Sequence, residues 1–170
     1  MKKKLFIALL LVISSTSIFA QAKKKADKAT REWRYEIECA GIGADGTYLI
    51  KVWSYSKNPK VATAQAKKNA VHGVIFKGFA GGARGCNSQK PLASNPNLEM
   101  EKEEFFGPFF EDGGKYMKFV TESSDGNVGA DDRLKVGKEY KIGVIVSVSK
   151  DALRKDLEAA GIIKGLSSGF

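Results

Sequence analysis

Between positions 33 and 40 apolar and polar residues alternate. Trp33, Tyr35, Ile37 and Cys39 share one face; Arg34, Glu36, Glu38 and Ala40 share the other. A period of two predicts a strand with one buried face. Residues 41–46 hold three glycines and the turn signal Asp45-Gly46. A second strand is predicted over 47–54, with Tyr48, Ile50 and Val52 on one face and Leu49 and Trp53 on the other. Apolar residues on both faces mark it as the more central strand of an antiparallel hairpin.

The period then changes. Asn58-Pro59 opens a helix predicted over 60–77, where Ala64, Val71, Val74, Ile75 and Gly78 fall on one stripe at about 100° per residue. Ala62, Ala66 and Ala70 favour the helix and let it lie close to a sheet. Gly78, Gly81, Gly82 and Gly85 end it, and residues 80–97 read as a long loop rich in Gly, Asn, Ser and Pro. A short acidic helix is predicted over 98–106, broken at Gly107-Pro108. Strands are predicted over 115–122 and 139–149, joined by a polar connection over 123–137. The last strand is the clearer, because Tyr140, Ile142, Val144, Val146 and Val148 alternate without interruption. Ser149 is placed to cap a final helix with a Leu153, Leu157, Ala160 stripe, and Gly161 is placed to end it. The order β-β-α-loop-β-β-α predicts an α+β fold, a mainly antiparallel sheet with helices on one face.

The first 32 residues follow a different pattern. Residues 1–20 combine Lys2-Lys3-Lys4 with an apolar run over 5–13 and small polar residues, the form of a secretory signal peptide cleaved after Ala20 or Ala22. The run is shorter than the roughly 20 residues that a membrane-spanning helix needs. The first cysteine is Cys39, so no lipid-attachment site follows the apolar run. Residues 21–31 read as a basic flexible tail, and 32–170 as a single α+β domain with a long loop near 80–114. The product is expected to be periplasmic or secreted, without a transmembrane segment.

Charge changes meaning once it is located. The chain carries 28 basic and 19 acidic side chains, a formal net charge of +9, which would suggest nucleic acid. From Glu32 onward the balance is 20 basic against 18 acidic. The excess therefore sits in the signal segment and tail, and nucleic acid is not the expected partner. A composition of 43% apolar residues is that of a globular domain, which excludes a disordered or fibrous chain.

Candidate chemistry is sparse. Cys39 and Cys86 are the two cysteines; an exported chain with an even count favours a disulfide between them, the alternative being a buried free thiol. Their number excludes a four-ligand structural zinc site. His72, the one histidine, falls on the flank of the helix stripe and reads as a boundary residue. Glu101, Glu103, Glu104, Glu111 and Asp112 supply carboxylates for a hydrolase, yet acids packed so densely read first as a solvated face. Residues 125–132 set oxygen donors at alternate positions. They lack the calcium loop's sixth-place glycine and twelfth-place glutamate, and so read as a polar turn. The glycines from Gly78 to Gly85 follow a helix, whereas phosphate-cradling loops follow a strand. Neither metal nor cofactor is implied. The most unusual feature is Phe105, Phe106, Phe109 and Phe110 around Gly107-Pro108. These rings either close the core or, with one pair turned outward, form a partner surface.

The alanine-rich helix (Ala62, Ala64, Ala66, Ala70) after a glycine turn and strand, and the Val-rich strand running into Lys150-Asp151-Ala152-Leu153-Arg154-Lys155-Asp156-Leu157-Glu158, carry a resemblance. Over about residues 33–163 the chain resembles the small bacterial envelope-lipoprotein domain similar to the N-terminal domain of flagellar assembly protein T. It departs from the lipoprotein members in lacking an acylated cysteine, and residues 80–114 have no counterpart in the pattern. The resemblance implies a non-enzymatic envelope component with a protein partner, and carries no catalytic residues over. Two functions are therefore expected: a secreted or periplasmic binding or structural module of the cell envelope, or a secreted carboxylate-dependent hydrolase of wall or glycan material.

Overall fold

The computed structural model describes residues 33–81, 85–123 and 128–165. The signal segment and basic tail lie outside them, as does part of the oxygen-rich stretch 125–132. The strands are β1 (Tyr35–Gly41), β2 (Tyr48–Ser56), β3 (Val120–Glu122), β4 (Arg133–Val136) and β5 (Glu139–Val148). The helices are α1 (Pro59–Phe76), α2 (Leu98–Glu101), α3 (Glu103–Phe109) and α4 (Lys150–Ala159), with 3₁₀ turns at Lys115–Phe119 and Ala130–Asp132. The fold is α+β with an antiparallel sheet.

In the sheet β1 pairs with β2 and β2 with β5, from Tyr48 opposite Val148 to Ser56 opposite Tyr140. The far edge of β5 is shared: β3 takes Val148 to Val146, and β4 takes Ile142 to Glu139. β2 is central, as its two apolar faces required. Tyr35, Ile50, Val52, Ile142, Val144, Val146 and Val148 form the core on one face, where Leu153 and Leu157 of α4 join them. On the other face Trp53 lies across Gly143, where a Cβ would come within 2.9 Å of the ring.

α1 starts as its sequence dictates. Asn58 Oδ1 accepts from the Lys60 N–H at 3.0 Å, and Pro59 occupies the first turn, where no N–H is needed. Its burial departs from the expected single stripe. Ala64 is exposed, while Ala62, Ala66, Ala70 and Val71 are buried together with Gln65, Lys68, Asn69 and His72. The cause is a second layer. The sheet covers one side of α1, where a Cβ at Gly73 would meet Ile37 Cδ1 at 2.7 Å. Residues 98–119 cover the other side through Phe76–Phe106 and Lys68–Tyr116 contacts. A helix covered on both sides loses its polar stripe.

Four local expectations are corrected. β1 begins at Tyr35, and Trp33 leaves the strand with φ +44°. Residues 115–119 form a 3₁₀ turn because Tyr116 and Phe119, three apart, are the buried pair. β4, expected to be polar connection, forms a hairpin with β5 through Gly137 at φ +60°. Gly107-Pro108 does not break α3, since the Phe110 N–H still bonds the Phe106 carbonyl at 3.0 Å.

α4 ends as expected but starts differently. Gly161 (φ +65°) donates to Glu158 O at 3.0 Å and Ile162 to Leu157 O at 2.9 Å, a Schellman closure. The Ser149 side chain makes no capping bond; its N–H is held by Phe119 O at 2.8 Å. Ala160, expected on the stripe, is exposed.

Cys39 and Cys86 form a disulfide. It ties the loop after α1 to the end of β1, and a Phe79–Gln89 bridge holds the same loop. Among the described residues no helix is long and apolar enough to cross a membrane.

Candidate functional site

His72 organises the region where residues 98–112 fold over α1. It is 4% exposed, so it is a core residue and not the boundary residue expected. Its ring stacks on Trp33 (centroids 3.5 Å apart) and leans on Phe76 (4.7 Å) and Phe110 (5.8 Å). Nε2 lies 3.0 Å from Glu99 Oε2 and Nδ1 lies 2.6 Å from the Tyr35 hydroxyl. A carboxylate only accepts, so Nε2 carries the proton and Nδ1 accepts from Tyr35. Glu99 Oε1 takes the Trp33 indole N–H at 2.9 Å. Every polar atom of the cluster has a partner.

Burial pushes the His72 pKa down, only partly opposed by Glu99, so the ring is neutral at pH 7 and the His72–Glu99 contact is a hydrogen bond to a carboxylate, not an ion pair. Burial and the Glu99 charge push the Tyr35 hydroxyl far above the usual phenol range. Lys77 sits 3.7 Å above the Tyr35 ring centroid, and burial lowers its pKa. The network joins β1, α1 and α2.

Over this network opens a cleft of about 940 Å³. Trp33, Phe106, Phe110, Pro96 and Met100 give it an apolar lining, and Glu99, Glu103, Glu111 and Asp112 give it carboxylates. Among the described residues that line it, Lys68 is the one basic side chain. Met100 is 74% exposed there.

Of the two readings of the four phenylalanines, closure of the core is the one the burial follows, and no outward pair forms. Phe106, Phe109 and Phe110 are buried, and Phe105 is half-buried against Phe109 at 5.5 Å. The reason is helical spacing: α3 carries through Pro108, so Phe106, Phe109 and Phe110 land on one face. Only Phe106 and Phe110 reach the cleft, as its floor. Of the carboxylates weighed for a hydrolase, Glu103, Glu111 and Asp112 line the cleft and are exposed. Glu101 instead binds Asn95. Asp132, from the oxygen-rich stretch, pairs with Lys51 at 2.7 Å. Among the described residues no group of three His, Cys, Asp or Glu side chains has the arrangement of a metal site.

Trp33, Met100 and His72 escaped sequence reasoning. Trp33 fitted the strand alternation too well, and His72 is buried by residues far along the chain.

The opposite sheet face is closed chemically. Trp53 Nε1 bonds Glu38, Tyr55 bonds Glu36, and Lys141 joins Glu36 to the Trp53 and Tyr55 rings. Its charged groups satisfy one another.

The chain matches no family model, no curated protein and no solved structure.

Proposed function

We propose that the protein is a secreted or periplasmic module of the bacterial cell envelope that acts by binding, and that the cleft over α1 is its contact surface. The observation that carries this reading is the cleft's construction: an apolar floor rigidly held by the Trp33–His72–Glu99 network, rimmed by exposed carboxylates. A fixed apolar floor with a polar rim is how contact surfaces combine affinity and specificity. The disulfide supports an oxidising compartment. The signal pattern of residues 1–20 and the resemblance to the envelope-lipoprotein and flagellar assembly protein T domain point the same way.

A carboxylate-dependent hydrolase is the second reading, favoured by the gathering of Glu99, Glu103, Glu111 and Asp112 at one cleft. It is the weaker one. General-acid work draws on a buried carboxyl free to give its proton; three of these are exposed, and both oxygens of Glu99 hold Trp33 and His72.

Co-purification from envelope fractions tests the binding reading. Met100→Asp should release the partner, while Leu134→Asp on the opposite sheet face should retain it. Equal retention by both would place the contact elsewhere.

A further inference from the structure

The carboxylates of residues 98–112 differ from those on the rest of the surface. Six acidic residues stand there against one lysine, in a chain with a net charge of +9. Elsewhere among the described residues most acids are matched, among them Glu36 with Lys141, Glu122 with Lys67, Asp132 with Lys51, Glu139 with Arg34 and Asp156 with Lys115, whereas the unmatched Asp45 and Asp131 stand outside the cleft. Glu103, Glu104, Glu111 and Asp112 have no basic partner among the described residues, and three of them rim the 940 Å³ cleft. Unmatched charge of one sign around a concave floor focuses the field into the cleft and attracts the opposite sign.

The floor narrows the class of cation. Metal-site geometry is missing among the described residues. One face of the Trp33 indole is taken by His72, and the ring also lines the cleft, where an ammonium or guanidinium gains from the aromatic quadrupole. Met100 is a flexible, polarisable contact for an apolar side chain beside that cation. An anionic lipid surface or a nucleic acid would be repelled by the same rim.

We infer that the cleft takes a cationic segment of a polypeptide partner, with lysine or arginine set against the carboxylate rim and an apolar side chain against Met100 and the aromatic floor. This rests on the reading of the cleft as a contact surface and names the chemistry of what it contacts.

The chain has two tryptophans, so Trp53→Phe leaves Trp33 as the sole indole reporter in the cleft. In that background the mature protein is titrated with a short synthetic peptide alternating lysine and leucine, and with the same peptide carrying glutamine or glutamate for lysine. The lysine peptide should shift Trp33 emission saturably. Its affinity should fall roughly tenfold in Glu103→Gln/Glu111→Gln/Asp112→Asn, three exposed charges each contributing modestly, with an unchanged melting temperature as the control for folding. Equal or tighter binding of the glutamine or glutamate peptide would overturn the cationic assignment while leaving the cleft as a contact surface. No response to the lysine peptide would overturn it too, and the Met100→Asp co-purification then decides the broader reading separately. A dimer that the triple variant abolishes would put a second copy of the chain in the cleft and overturn the assignment as well.

Discussion

The indole of Trp33 lies on the imidazole of His72, ring centroids 3.5 Å and planes 19° apart, and Glu99 hydrogen-bonds to both. Trp33 holds this position with φ +44°, a backbone region that costs a non-glycine residue about 1–2 kcal/mol. Stacking and the Glu99 bonds offset that cost. The floor of the cleft is therefore fixed by contacts between segments 66 residues apart in sequence.

His72 makes stability depend on pH. Its folded-state pKa lies below the ordinary value of 6.5, because burial disfavours the charged ring. The unfolded chain then binds more protons at mildly acid pH, so stability rises with pH there. Its contribution is full above pH 6.5 and is lost as pH falls from that value towards the folded pKa. Thermal melts between pH 7.5 and pH 5 should show a declining midpoint, and His72→Gln should flatten the decline. An identical slope in the variant would mean that His72 does not titrate in this way. Tyr35, Glu99 and Lys77 face the ring and are held constant in the comparison.

The phenylalanines should separate by burial. Phe106→Ala and Phe109→Ala each remove a core ring and should cost about 3–5 kcal/mol. Phe105→Ala, half-exposed to begin with, should cost less than half as much. Denaturant melts of the three variants check this; equal losses would mean that Phe105 is packed as tightly as the others.

Denatured, non-reduced protein should give no thiol-labelling signal, since Cys39 and Cys86 are bridged. Cys86→Ser opens a link of sequence separation 47 and should cost about 2–4 kcal/mol. Two titratable thiols per chain would contradict the bridge.

The sheet was readable because β2 and β5 advertise their burial locally, β5 by unbroken alternation and β2 by apolar residues on both faces. The C-terminal closure of α4 was readable from Gly161 alone, because a left-handed residue there favours glycine. The second burial of α1 was not. Its cover arrives from residues 98–119, and nothing within Pro59–Phe76 records that Phe106, Phe110 and Tyr116 will sit on it. The same distance hid the cleft, since Trp33 and Met100 meet only through that fold. β4 was missed because it is only four residues long: Arg133-Leu134-Lys135-Val136 alternates, but over too short a run to stand out from a polar connection, and all four residues are exposed.

We propose that the cleft over α1 is where the protein meets its partner. A photoreactive amino acid placed at position 100 in living cells, and separately at position 134, tests it most directly. Position 100 should give a discrete higher-mass adduct in the envelope fraction, weakened by Glu103→Gln/Glu111→Gln/Asp112→Asn, and position 134 should give none. An adduct from position 134 with none from position 100 would contradict the account.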